Sequence, residues 1–142
     1  MDWVVRGFKA LGARCRKKGD SYYCYKDSVE AIISSDVIDI SVPVEFRTEY
    51  SDFAPRGMYE DEFLKAIEEK TGAYNAIIEV KAPDAKLTLR FEPKDATKAM
   101  RTFSNLVKHE MDLAITNIAG EIRCYKGGEW IENIWEWIEN LG

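Results

Sequence analysis

Three cysteines and a single histidine are the residues of this chain best suited to redox, nucleophilic or metal chemistry. Cys15 and Cys24 lie close together in sequence, and Cys124 is remote. A structural zinc site takes four ligands, usually delivered in close pairs such as Cys-x2-Cys. This spacing does not supply them, so no metal is expected. The cysteines read as small core residues, with one disulfide left open. His109 has no nucleophile patterned beside it and falls on the predicted wet face of a helix. There is no Gly-x-Ser-x-Gly elbow, no phosphate-cradling glycine loop and no His-Glu-x-x-His. The adjacent carboxylates Asp61-Glu62 and Glu68-Glu69 read as solvated helix surface. The expectation is a chain that is not an enzyme and carries no cofactor.

Binding chemistry is better represented. Residues 1–18 carry six bases (Arg6, Lys9, Arg14, Arg16, Lys17 and Lys18) against one acid, Asp2, although the net charge is −5. A basic segment with aromatic residues can hold a phosphate backbone and stack on bases. Its bland counterpart is a solvated charged end near an acidic one, since Glu129, Glu132, Glu136 and Glu139 mark the other terminus. That terminus is also rich in tryptophan. Trp130 and Trp137 are candidates for docking a partner, with core packing as the competing reading. Arg101, Asn105 and Lys108 share one polar helix face and form a second candidate partner surface.

These residues need a scaffold, and 142 residues suit one domain built on one core. Apolar residues make up 46% and charged residues 32%, which excludes disordered and fibrous classes. The longest apolar runs fall short of a membrane span, and Asp2 and Arg6 interrupt a signal-peptide pattern. A cytoplasmic location and no membrane partner are therefore expected. Glutamine is absent while Glu, Lys and Ile abound, a thermophile-like composition.

Hydrophobic spacing orders the elements. Val4, Phe8, Leu11 and Cys15 step by three and four, which predicts a helix over 3–18 stopped by Gly19. A short strand is predicted at 21–26 and a helical turn at 27–34. Ile38, Ile40, Val42, Val44 and Phe46 alternate with polar residues, so 37–47 is a strand. Pro43 cannot donate to a ladder, which places that strand at an edge or gives it a bulge; as an edge it offers a dimerising surface. An aromatic loop at 48–59 is a candidate cover for a small-ligand pocket. A helix over 60–71 ends at Gly72. A hairpin follows, with strands around Tyr74–Val80 and Leu87–Phe91 and its turn at 82–85. A long helix is predicted over 94–118, a strand over 121–126, a turn at Gly127-Gly128 and a helix over 129–141. The echo of Cys24-Tyr25-Lys26 in Cys124-Tyr125-Lys126 would make the two cysteines neighbours if their strands paired. The fold class is α+β: an antiparallel sheet with helices mainly on one face. A central β-α-β-β-α unit (37–118) carries additions at 1–36 and 119–142.

In that unit, Leu87, Leu89, Arg90 and Glu92 run into Asp95 at a helix start, with Arg101, Asn105, Leu113 and Ala114 beyond. Together with the strand around Val42–Phe46, this stretch resembles the small dimerising subunit of KEOPS, the complex that places threonylcarbamoyl on tRNA adenosine. The resemblance covers about residues 38–118. It implies a non-catalytic subunit that dimerises through its sheet and presents helices to a catalytic partner. The expected function is thus a structural or dimerising subunit of a larger complex, with tRNA modification as the implied setting. The alternative is a stand-alone nucleic-acid-binding module that uses the basic N-terminal helix, with RNA as the candidate ligand.

Overall fold

A computed structural model describes residues 1–47, 58–81, 84–109, 112–116, 121–126, 129–130 and 134–142. Side chains are described for the same residues except 45–47, 112–116, 121, 123–126 and 129–130. The fold is α+β, a largely antiparallel sheet with helices packed on one face.

The N-terminal helix α1 (Asp2–Ala10) is shorter than its apolar stripe suggests. Gly12 takes a φ of 94°, a left-handed conformation that a helix cannot continue through. Residues expected to extend the helix instead form strand β1 (Arg14–Lys18), paired with β2 (Ser21–Lys26). Gly19 does not stop a helix but opens the two-residue turn between them, with a φ of 61°. The expected helical turn at 27–34 is strand β3 (Val29–Ile33), where Val29, Ala31 and Ile33 are buried in alternation. Asp27 opens that second tight turn at a φ of 53°, a conformation Asp tolerates.

Strand β4 (Ile38–Arg47) forms where the alternation places it, but it is central and not an edge. It pairs antiparallel with β3 over 38–41 and with β7 (Asp84–Phe91) over 38–45. Beyond the end of β3 it pairs parallel with β8 (Asp112–Thr116), from Glu45 opposite Ala114. Pro43 lies between these two partners, at positions that neither β3 nor β8 takes. A residue without an N–H breaks no ladder bond on that side, which is how an interior strand accepts it.

A short strand, β5 (Met58–Tyr59), leads into α2 (Glu60–Thr71). Glu60, Asp61 and Glu62 favour the positive N-terminal end of this helix, and Gly72 caps it at a φ of 84°. The hairpin of β6 (Asn75–Lys81) and β7 follows as expected, although its turn at 82–83 lies outside the described residues. A single 3-10 turn (Pro93–Asp95) precedes α3 (Ala96–Lys108). The predicted long helix stops here because His109 leaves helical geometry, at φ −110° and ψ 58°. Leu113 and Ala114 therefore lie on β8, where pairing with β4 overrides the helical spacing. Strand β9 (Glu121–Lys126) pairs with β8, β5 and β10 (Glu129–Trp130). The final helix α4 (Ile134–Glu139) is shorter than expected because its first residues belong to β10. The turn at 127–128 and the aromatic loop up to residue 57 lie outside the described residues.

One sheet face is apolar through its centre: Ile38, Ile40, Val42, Leu87, Leu89 and Phe91 are buried there. Helix α3 packs on β3, β4 and β7, α1 on β1 and β2, and α2 on β6 and β9. Phe8 of α1 meets Phe103 of α3 edge-to-face at 5.1 Å. The buried residues run as one cluster from Val4 to Leu141.

Candidate functional site

The opposite face of the sheet carries the polar half of each strand, and its rows follow from the register. One row runs Arg14, Tyr25, Glu30, Ser41, Thr88, Ile77 across β1, β2, β3, β4, β7 and β6. The next runs Arg16, Tyr23, Ile32, Asp39, Arg90, Asn75. Lys18 extends the basic column along β1.

The middle of this face is a closed polar network. Arg90 donates from Nε and Nη2 to the two Asp39 carboxylate oxygens at 2.8 and 3.0 Å. That hydrogen bond, then the Asp39 charge, holds the guanidinium above its ordinary pKa. Beside it the hydroxyls of Ser41 and Thr88 are 3.1 Å apart and buried. The hollow over these residues holds only about 70 Å³. Small-molecule sites usually need several hundred. The network orders the face and does not form a ligand cavity.

The basic residues do not act as one helix. Arg6 and Lys9 are exposed on α1, while Arg14, Arg16 and Lys18 share the open sheet face. Lys17 points to the other side, where its ammonium lies 6.0 Å from the Tyr22 ring. The Lys18 ammonium sits 5.3 Å from the Tyr23 ring. Tyr23 and Tyr25, beside the basic column, were not singled out from the sequence. Their signal is the alternation Arg-x-Arg-x-Lys, then Gly-Asp, then Tyr-x-Tyr, which is a hairpin pattern.

The other candidates are dispersed. Arg101, Asn105 and Lys108 lie on α3 away from its buried side, Asn105 half-buried and the two bases exposed. His109 is half-buried at the end of that helix. Trp137 is a core residue, stacked on Phe63 at 5.9 Å, and its Nε1 has no hydrogen-bond partner among the described residues. Trp135, not Trp137, is the exposed ring of α4. Trp3 on the first helix is exposed as well. Trp130 is placed on β10, and its side chain is outside the described set.

Cys24 pairs with Cys15, not with Cys124, in a disulfide between directly opposed residues of β1 and β2. Register decides this: β2 lies beside β1 and β3, whereas Cys124 on β9 stands opposite Leu113. Among the described residues no group of three or more His, Cys, Asp or Glu is arranged to hold a metal ion. No described helix is long and apolar enough to cross a membrane.

The two lateral boundaries of the sheet differ in character. At one side β1 pairs only with β2 among the described residues and is almost wholly charged. At the other, β6 pairs only with β7 among the described residues and exposes apolar side chains: Ile77 is 36% exposed, Val80 45%, and Tyr74, just ahead of the strand, 54%. Comparison with protein-family models, with curated proteins and with solved structures returns no match.

Proposed function

We propose that this chain is a non-catalytic, dimerising subunit of a larger assembly, and that two copies join through the outer edge of β6. The observation that carries this reading is the self-complementarity of that edge. An unpaired strand edge is a template for another strand unless charge or a bulge protects it. Antiparallel pairing about a two-fold at Ile77 places Ile77 against its own copy and Val80 beside the partner's Tyr74. It also sets Ala76 against the partner's Ile78 and Glu79 against the partner's Asn75, so no like charges are opposed. Each exposed apolar side chain of the edge thereby gains an apolar neighbour.

Apart from the short β5, the order β4, α2, β6, β7, α3 follows the β-α-β-β-α unit of the small KEOPS subunit that this stretch resembles, which supports the same reading. That resemblance makes tRNA modification the setting we favour. The exposed Arg101 and Lys108, with Asn105, on α3 offer a surface for a second kind of partner.

Light scattering coupled to size exclusion tests the interface. The 16.3 kDa chain is expected to run at twice that mass, and Ile77→Lys, which opposes two ammonium groups on the axis, to run at the monomer mass. A wild-type chain that stays monomeric at high concentration overturns the proposal.

A further inference from the structure

We propose that the open face of β1 and β2 binds single-stranded nucleic acid, its phosphates along Arg14, Arg16 and Lys18 and its bases stacked on Tyr23 and Tyr25. This goes beyond the dimerising role and uses the opposite end of the sheet.

Charge is the first ground. The chain is acidic overall, yet β1 reads Arg-Cys-Arg-Lys-Lys. Arg14, Arg16 and Lys18 are exposed, and none makes an ion pair among the described residues. A column of unneutralised bases calls for a polyanion, whose counterions are released on binding. Its geometry is linear. Alternate residues of a strand recur about every 6.7 Å, which suits an extended backbone running along the edge.

The second ground separates single strands from other polyanions. Tyr25 and Tyr23 occupy the same two rows as Arg14 and Arg16, one strand further in. Neighbouring strands are about 4.8 Å apart, so a chain of phosphates on β1 has its bases over β2. Tyr25 is 45% exposed and open to a base, while the flexible Lys18 side chain lies over the Tyr23 ring and must swing towards a phosphate before a base can stack there. Aromatic rings on a sheet face are sequence-tolerant stacking platforms, and only unpaired bases offer them a π-face. A duplex, a sulfated polysaccharide or an acidic protein would use the bases and leave the tyrosines idle. Glu30, next in the Tyr25 row, bounds the platform on its inner side and repels phosphate from the middle of the sheet.

Fluorescence anisotropy with a labelled 12-nucleotide RNA, the same sequence as single-stranded DNA, and the matching duplex tests this. Both single strands are expected to bind, and the duplex at least tenfold more weakly. Contact with about three phosphates gives a salt slope near −2, hence a loss of about fifteen- to twentyfold between 50 and 200 mM salt. Tyr25→Ala is expected to weaken binding about tenfold with the slope unchanged, while Tyr25→Phe keeps it. Arg16→Ala is expected to flatten the slope by about 0.7. Duplex affinity equal to that of the single strands, or full binding by Tyr25→Ala, overturns the proposal. Ile77→Lys serves as the control: its single-strand binding is expected to survive, so failure of the dimer and failure of this site are read separately.

Discussion

Cys15→Ser removes the bond that ties the outermost strand to its neighbour, and its effect can be worked from the chain. The bonded cysteines are nine positions apart, so the cross-link closes a short loop in the unfolded chain. Loop-closure entropy for about ten residues amounts to about 2.7 kcal/mol at 25 °C. Unfolding entropy for 142 residues is about 0.3 kcal/mol per kelvin, so the midpoint should fall by about 9 °C. Cys24 is fully buried and keeps its place as a small apolar group, so no cavity adds to the loss. The assay is thermal denaturation followed by circular dichroism for three samples: oxidised protein, protein held in a strong reductant, and Cys15→Ser in that reductant. The second and third should coincide, both well below the first. Hydrogen exchange should show β1 amides losing protection before those of β4, because β1 is paired on one side only. Melting curves for oxidised and reduced protein within about 1 °C of each other would refute the loop-closure reasoning.

Two further outcomes probe the covered face. Phe103→Ala is expected to cost about 3–5 kcal/mol in urea titrations, since Phe103 is fully buried between α3 and α1. A double-mutant cycle with Phe8→Ala should return a coupling of about 0.5–1.5 kcal/mol for the edge-to-face pair. Gly72→Ala should cost about 1–2 kcal/mol by the same titration, from the left-handed backbone at the end of α2. The added methyl would meet only the flexible Lys98 side chain, which can move aside.

How far the sequence spoke depended on whether a segment's spacing had one solution. Alternation in 38–47, 75–81 and 84–91 fits a strand alone, and all three strands form there. The acidic start and glycine end of α2 are equally one-sided. In 3–18, by contrast, Val4, Phe8, Leu11 and Cys15 satisfy a helical step, yet Arg14, Arg16 and Lys18 also satisfy a strand. The left-handed Gly12 ends the helix, and the tight turn at Gly19 leaves 14–18 to the strand. Residues 112–116 pose the same ambiguity, decided by a strand from far upstream. Pro43 was a sound reason to place β4 at an edge, and only the hand-over from β3 to β8 explains why it is not. The candidate site was half legible. Its bases were plain from composition, but the face they share with Tyr23 and Tyr25 follows from a register that spacing along one segment cannot give.

That hand-over has a consequence for biosynthesis. As the chain leaves the ribosome, β1 to β4 zip up through successive tight hairpins, and β7 then docks on the far side of β4. The last residues of β4 wait for β8, which must return in parallel from a much later segment, a slow kind of closure. A nascent chain halted after β7 would thus hold β1 to β4, β6 and β7 paired while the end of β4 and the short β5 stay open, ready for a holdase chaperone or for the wrong strand.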